Sequence, residues 1–282
     1  MANSIVEKFD SINQFMAAIT SREENVAMRG LGHSKSGDKD FTGTKSWDEA
    51  LDFLKNGWDE PLEEIKREIG QYKVKTNVTA SRQRTSIGVV GYAPCVPNAI
   101  KGLPNSMITS ERIPQKVKAV SIVYNVNVHC GWTPRKIQKC SITVLKIVNQ
   151  LELQGYRVKL LVEVFSSRND KDHLRCSVSI KDWRQPLDLK KLCFPLVNPS
   201  MFRRMGFRWL ETVPNMTNEG FRSGYGTPIC SENKYKEDVE RAKEYKVIGE
   251  NDYFLSAYMI EENKHDVKKV MEAAGMSGLE IQ

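Results

Sequence analysis

Three polar side chains occupy alternate positions where a buried strand is predicted to end: Asn125, Asn127 and His129. In open α/β sheets, ligands bind beyond the carboxyl ends of the strands, so this turn lies where a site is expected. A hard divalent cation there requires anionic oxygen ligands, and none of the three side chains supplies one. The turn is therefore interpreted as a polar cap on a sheet, with no metal and no cofactor, and metal binding stays the alternative.

Two arginine-rich segments are candidates for contact with nucleic acid, because guanidinium groups pair with phosphates and aromatic rings stack on bases. The first lies within residues 71–118 and has no acidic residue before position 111, although a solvated linker explains it as well. The second is residues 200–210, where Met201, Met205 and Trp209 also have the spacing of a buried helix face. The candidate residues are Arg82, Arg84, Arg203, Arg204 and Arg208.

Established catalytic motifs are missing from the sequence. It contains no Gly-x-Ser-x-Gly elbow, no His-Glu-x-x-His, no phosphate-binding loop and no dinucleotide fingerprint. A metal-dependent nuclease could be assembled from Asp170, Asp172, His173 and His129, since both loops follow strands. A hydrogen-bonded turn explains these residues equally well, so we expect a protein that is not an enzyme.

These loops must be positioned by a strand–helix–strand unit over residues 119–167. Ala119 to Asn125 is a short run of β-branched and aromatic residues, which is typical of a strand covered on both faces. Thr133 and Pro134 give a helix-start signal, and apolar residues then recur at a period near 3.6 until Gly155. Residues 156–165 resume as a strand.

The next strand, residues 174–180, follows so short a loop that it must run antiparallel to its neighbour. An antiparallel edge strand after the first crossover resembles the topology of von Willebrand factor A domains. The turn also resembles their metal-ion-dependent adhesion site, with Asn125, Asn127 and His129 in place of Asp-x-Ser-x-Ser. The resemblance implies an α/β fold: a von Willebrand A-like, Rossmann-type mixed sheet with flanking helices over residues 116–282.

A small helical region, residues 1–115, is predicted to precede this domain. It begins with a short helix over residues 9–19, and Ser46 with Glu49 then forms a capping box for a helix that ends at Gly57. The motif Thr-Lys-Ser-Trp-x-Glu-Ala of residues 44–50, followed by Leu-x-x-Gly-Trp ending at Trp58, resembles a conserved bacteriophage-encoded family of unknown function. Residues 102–107 and 199–204 are similar to other fixed points of that family.

Composition sets the remaining limits. The net charge of +7 permits contact with nucleic acid or an acidic surface, and the six cysteines show no zinc-ligand spacing. We find no apolar run of membrane-spanning length and no signal peptide, which predicts no membrane partner. We therefore expect a non-catalytic bacteriophage protein that binds a phage or host protein, in the virion or the host cytoplasm. Nucleic-acid binding is the first alternative, and a metal-dependent nuclease is the second.

Overall fold

The computed structural model describes residues 5–25, 32–70, 83–112, 118–168, 172–214, 224–226 and 235–279. The strands are β1 (Ile5–Phe9), β2 (Gln83–Gly88), β3 (Ala93–Pro94), β4 (Met107–Arg112), β5 (Ala119–Asn125), β6 (Arg157–Arg168), β7 (Asp172–Lys181) and β8 (Asp252–Ser256). The α-helices are α1 (Ile12–Ser21), α2 (His33–Ser36), α3 (Lys39–Thr42), α4 (Trp47–Asn56), α5 (Leu62–Gly70), α6 (Val96–Ile100), α7 (Pro134–Leu153), α8 (Leu189–Val197), α9 (Phe207–Thr212), α10 (Tyr235–Glu244), α11 (Ala257–Glu262) and α12 (Val267–Ala273). A π-helix, Met201–Gly206, leads directly into α9.

The predicted strand–helix–strand unit is confirmed as β5–α7–β6. The side chain of Thr133 accepts the backbone N–H of Lys136 at 3.3 Å, and Gly155 (φ 87°) follows the helix in the left-handed conformation. Strands β5 and β6 pair in parallel. Six apolar residues of these elements are buried in one hydrophobic cluster: Val123, Val144, Leu145, Val148, Leu160 and Val162.

The main sheet is mixed, with strand order β1-β7-β6-β5-β8. Strand β7 runs antiparallel to β6, as predicted, but it is not the edge strand, because β1 pairs in parallel on its outer side. The prediction of a helix from Phe9 was therefore partly wrong, since α1 begins at Ile12 and the residues before Asp10 form a strand. Strand β8 ends at Ser256, whose hydroxyl accepts the N–H of Met259 and so caps α11.

The early helices pack beside this sheet. The predicted cap of α4 is confirmed at Ser46, whose hydroxyl accepts the N–H of Glu49 at 3.1 Å. The Glu49 carboxylate reaches back to the N–H of Lys45, one residue before the cap, at 2.5 Å. Helix α1 contacts β7, and α4 contacts α8. The first strand and these helices thus contact elements beyond residue 116, and the division into residues 1–115 and 116–282 stays a prediction.

The two faces of the main sheet differ in cover. On the face toward α7, side chains are buried, and the Tyr124 hydroxyl lies 3.2 Å from the Ser141 hydroxyl on that helix. On the opposite face four side chains stay half-buried: Ser121, Lys159, Leu161 and Ser179. We call this region the open face. None of the helices in the described ranges is long and apolar enough to cross a membrane.

A second sheet, of strand order β2-β4-β3, lies within residues 83–112. The sequence pattern did not predict it. Its strands pair antiparallel, and Gly91 allows the chain to pass close to β4, since a Cβ at Gly91 would lie 2.1 Å from the Ile108 carbonyl oxygen. We call residues 83–112, with α6, the small sheet.

Candidate functional site

A cavity of about 730 Å³ lies at the carboxyl ends of β5 and β6. Its walls come from residues 33–41, from the turn after β5, from the π-helix with α9 and from residues 224–226. Five of the lining side chains are aromatic: Phe41, Phe165, Phe202, Phe207 and Tyr225. The main polar groups are His33, Asp38, His129 and Arg203. Apolar walls with a few polar groups are typical of a small-molecule site.

In the turn after β5, Asn127 hydrogen-bonds to β6 and Asn125 hydrogen-bonds within the turn. The side-chain amide of Asn127 donates to the carbonyl oxygen of Phe165 at 2.7 Å, and its oxygen accepts the N–H of Phe165 at 2.9 Å. The Asn125 oxygen accepts the N–H of Asn127 at 3.1 Å. Both side chains are buried. Their oxygen atoms are therefore engaged with backbone donors, which is the geometry of a polar cap on the sheet.

His129, the third residue of this turn, lines the cavity. Its Nδ1 accepts the backbone N–H of Gly131 at 3.1 Å, so in the neutral ring Nε2 carries the proton. The Cys130 sulfur lies 3.8 Å from Nε2 and 3.9 Å from Nδ1. The backbone N–H of His129 donates to the Tyr258 hydroxyl at 2.9 Å, which fixes the turn to α11.

The Arg203 side chain hydrogen-bonds to the backbone of the same turn. Its guanidinium donates to the carbonyl oxygens of Phe41 and Trp132, each at 2.8 Å, and to those of His129 and Cys130, each at 3.3 Å. It also lies over the Phe41 ring, 4.2 Å from the centroid. Burial lowers the pKa of Arg203 to about 10. The side chain is 1% exposed, so its contacts are internal.

The other candidate arginines that the structure describes lie in surroundings different from that of Arg203. Arg204 is buried and donates to the carbonyl oxygens of Ser34 and Gly37, and Arg208 is buried beside Glu24 and Glu211. Arg84 is exposed on the small sheet, and Arg82 lies outside the described residues. Three of the five candidates therefore engage their guanidinium donors inside the fold, and a phosphate-binding surface formed by all five stays a prediction.

The π-helix explains how two consecutive arginines become buried. Its wider turn carries Arg203 toward residues 129–132 and Arg204 toward residues 34–44. Gly206 closes the π-helix against β6, where a Cβ would lie 3.0 Å from a Val164 methyl group. Such π-helical turns are frequent at functional sites. The alternation of arginine and aromatic residues marks this segment as unusual in the sequence. The burial of the arginines, however, depends on carbonyl groups that are distant in the chain.

Tyr225 completes the cavity wall. Its ring stacks on Phe207 with centroids 3.8 Å apart, and its hydroxyl donates to the Glu211 carboxylate at 2.6 Å. Burial and that carboxylate raise the pKa of Tyr225. The Ser166 hydroxyl donates to the Tyr225 carbonyl oxygen, which ties this residue to β6. Gly224 and Gly226, on either side of Tyr225, also line the cavity.

The nuclease candidates are only partly described. Asp170 lies outside the described residues, and Asp172 begins β7. The His173 ring packs on Tyr245, with centroids 4.3 Å apart, and on Phe165 at 6.0 Å. This packing gives His173 a role in the aromatic cluster beneath α10, and the nuclease stays a prediction.

A cleft of about 740 Å³ covers the open face. Its cationic lining residues are Lys8, Lys159, Arg175, Lys243 and Lys246, and its acidic ones are Asp10, Glu250 and Asp252. The Lys159 ammonium lies 5.0 Å from the centroid of the Trp183 ring, which is 40% exposed. Exposed aromatic and cationic groups therefore occur together on this sheet.

The small sheet presents apolar side chains to solvent. Seven large hydrophobic residues between positions 87 and 103 are 46–81% exposed: Ile87, Val89, Val90, Tyr92, Val96, Ile100 and Leu103. No residue at positions 84–110 is buried. Its regular structure rests on backbone hydrogen bonds, such as Tyr92 N–H to the Ile108 oxygen at 2.9 Å. Sequence reading assigned this segment to a junction or linker and missed the sheet.

Comparison with known proteins adds one family. Residues 2–277 match a family model described as Domain of unknown function (DUF7192). No curated protein and no solved structure matches the chain.

Proposed function

For a chain that belongs to the DUF7192 family, we propose a non-catalytic function, the binding of a partner protein through the small sheet. One observation carries the proposal: a three-stranded sheet has seven exposed large hydrophobic side chains and no buried residue at positions 84–110. A small sheet needs a packed hydrophobic face for independent stability. Large hydrophobic side chains concentrated on an exposed surface are typical of protein interaction sites. A partner protein would supply the missing packing.

Charge indicates the chemistry of that partner. Arg84 and Lys101 flank the apolar residues, and no acidic residue occurs between Gln71 and Ser110. An apolar groove with an acidic rim would complement this surface, because rim charges steer association and select partners. Among the described residues no strand pairs with the outer edge of β2, which therefore offers backbone groups to an added strand.

Resemblance extends the proposal to the biological setting. The motifs of residues 44–58 resemble bacteriophage-encoded proteins, which supports a phage or host protein as the partner and the virion or host cytoplasm as the place of action. The β5–α7–β6 unit followed by antiparallel β7 supports a von Willebrand A-like classification as the finer fold proposal.

The proposal is tested by crosslinking and then by reconstitution. A photo-crosslinking residue at Tyr92 captures the partner in infected cells, and the purified partner is titrated against the full chain. We expect Val90→Ser and Ile100→Ser each to weaken binding about tenfold, equivalent to about 1.4 kcal/mol. Both side chains are about 80% exposed, so the melting temperature should not change.

The matched control is Leu153→Ser, which removes an exposed leucine at the end of α7, outside the small sheet. It should leave affinity unchanged. Three results would overturn the proposal: equal affinity of the Val90 and Ile100 variants, self-association of the chain through this surface, or binding of lipid vesicles that the two substitutions abolish.

The open face favours nucleic-acid binding as a second candidate, because four lysines and an exposed tryptophan line one cleft, whereas Arg175 is buried against Glu163. Affinity for labelled single-stranded RNA should then fall with salt, and Lys159→Ala and Lys246→Ala should each reduce the log–log slope by about one. Lys55→Ala, at an exposed lysine on α4, is the matched control. A slope unchanged by both cleft substitutions would eliminate this candidate.

A further inference from the structure

Three potential metal ligands meet on the side of the sheet that carries α7. Cys140 lies on α7, Glu261 lies near the end of α11, and His265 lies in the turn before α12. Their ligand atoms all lie within 4.8 Å of one another. The Glu261 Oε2 is 3.1 Å from His265 Nε2 and 3.9 Å from the Cys140 sulfur. No known motif links these residues, and Cys140 and Glu261 are 121 positions apart.

An unusual backbone turn delivers the histidine. Lys264 (φ 55°) and His265 (φ 58°) both adopt the left-handed conformation, which non-glycine residues enter at an energetic cost. The N–H of His265 donates to the carbonyl oxygen of Ile260 at 3.0 Å, which closes the turn against the end of α11. The turn directs the imidazole back toward Glu261, whose Oε2 lies 3.1 Å from Nε2. Strained conformations of this kind concentrate at functional sites.

The ligand types select the metal. A thiolate, an imidazole and a carboxylate are the usual ligands of Zn²⁺, which is bound tetrahedrally at about 2.0–2.3 Å. That geometry spaces ligand atoms about 3.3–3.8 Å apart. The two separations from Glu261, 3.1 and 3.9 Å, lie close to this range, and the Cys140 sulfur lies within 4.8 Å of His265, so the side chains would have to close in by about 1 Å or less. Three protein ligands leave a fourth position for water or another ligand.

An ion could reach the three side chains from solvent. Cys140 is buried, whereas the Glu261 and His265 side chains are 38% and 31% exposed, which gives a path from solvent. Burial and the nearby carboxylate raise the pKa of the Cys140 thiol to about 12, so the cation must displace its proton. Lys136 lies 3.3 Å from the other carboxylate oxygen, Oε1, and leaves Oε2 facing the cluster.

We propose that Cys140, Glu261 and His265 bind one zinc-class divalent cation, which ties α7 to α11 and to the turn before α12. This site is separate from the small sheet and does not depend on its function. The ion would stabilise the folded chain, since binding to the folded state alone shifts unfolding by mass action.

The test uses the full chain, freed of metal with a chelator and then titrated with Zn²⁺ against a chromophoric competitor. We expect one ion per chain and a rise in melting temperature. Substitution of Co²⁺ should give the charge-transfer absorption of a thiolate ligand. Cys140→Ala, Glu261→Gln and His265→Asn should each weaken Zn²⁺ binding by more than about tenfold, since losing even a second-shell partner costs that much.

The variants are chosen to preserve the fold. Asparagine tolerates the left-handed conformation of position 265, and glutamine keeps the shape of Glu261. Cys176→Ala is the matched control, because Cys176 is a buried free thiol on β7. It should keep full zinc affinity. If the metal-free chain takes up no Zn²⁺, or if the three substitutions leave affinity and the cobalt spectrum unchanged, these residues form an ion-pair cluster beside an inert thiol and the proposal is wrong.

Discussion

Replacing Arg203 with alanine should destabilise the protein severely, although the sequence pattern made this arginine a candidate for phosphate contact. Its two shortest hydrogen bonds, to the carbonyl oxygens of Phe41 and Trp132, are both 2.8 Å long. Bonds from a charged donor contribute about 1.5–3 kcal/mol each, so their loss costs about 3–6 kcal/mol. The two longer bonds, at 3.3 Å, add little. Because folded domains are stable by about 5–15 kcal/mol, the loss is a large fraction of the total.

Equilibrium unfolding in urea, followed by circular dichroism, measures this cost. The Arg203→Ala variant should unfold at lower urea with an unchanged m-value, since the surface exposed on unfolding is the same. Arg203→Lys keeps the charge but loses the planar fork of donors, so an intermediate loss is expected. Arg84→Ala is the matched control at an exposed arginine, and its effect should stay within about 0.5 kcal/mol.

Binding data complete the test, because the two roles of Arg203 predict opposite results. If Arg203 only stabilises the fold, the Arg203→Ala protein is less stable, but its folded fraction binds nucleic acid with unchanged affinity and salt dependence. If Arg203 instead contacts nucleic acid at the surface, the Arg203→Ala protein keeps its stability and loses affinity for nucleic acid. If Arg203→Ala unfolds at the urea concentration of the unsubstituted chain, the contacts described for the turn do not contribute to stability and the reasoning is refuted.

Three further outcomes are expected. Leu145→Ala, at a fully buried position of α7, should cost about 2–5 kcal/mol in the same urea assay, and a cost below about 0.5 kcal/mol would contradict its place in the core. Burial raises the pKa of Glu163 from 4.5 to about 8 despite its contact with Arg175. Between these pH values Glu163 is therefore protonated in the folded state and ionised in the unfolded state. Stability should therefore fall as pH rises from about 4.5 to about 8, and Glu163→Gln should remove this dependence; a slope that persists would refute it. Magnesium should leave the melting temperature unchanged, because the Asn125 and Asn127 oxygens accept backbone donors; a saturable rise lost in His129→Ala would revive metal binding at the turn.

The sequence predicted correctly those features of the fold that depend on contacts within a few residues, such as helix ends. Thr133, Ser46 and Gly155 marked helix ends correctly, since a cap is a contact within a few residues. The period of α7 likewise predicted its buried face. Strand β1 was missed because its five residues carry no turn or period signal, and its partner β7 lies nearly 170 positions away.

Features that depend on distant groups could not be read from the sequence. Alternating arginine and aromatic residues fit a stacking surface and a buried helix equally, and the carbonyl groups of residues 34–44 and 129–132 decide between them. The Cys140, Glu261 and His265 cluster has no characteristic spacing, because its members come from separate elements. The small sheet was missed for a different reason: its strands are short and are interrupted by glycine and proline, which favour a loop.

The cavity and the proposed partner surface are held in place by different contacts, and those of the cavity come from the buried side chains of Arg203 and Arg204. Both guanidinium groups bond mainly to backbone carbonyl oxygens, and these contacts hold residues 34–44 and 129–132 against the π-helix. The cavity walls are therefore fixed by the core of the main sheet. The small sheet, in contrast, has exposed side chains and is held by its own backbone bonds. Substitutions at Val90 and Ile100 should consequently change partner binding without altering the cavity, whereas a substitution at Arg203 changes the cavity and the stability of the whole chain together.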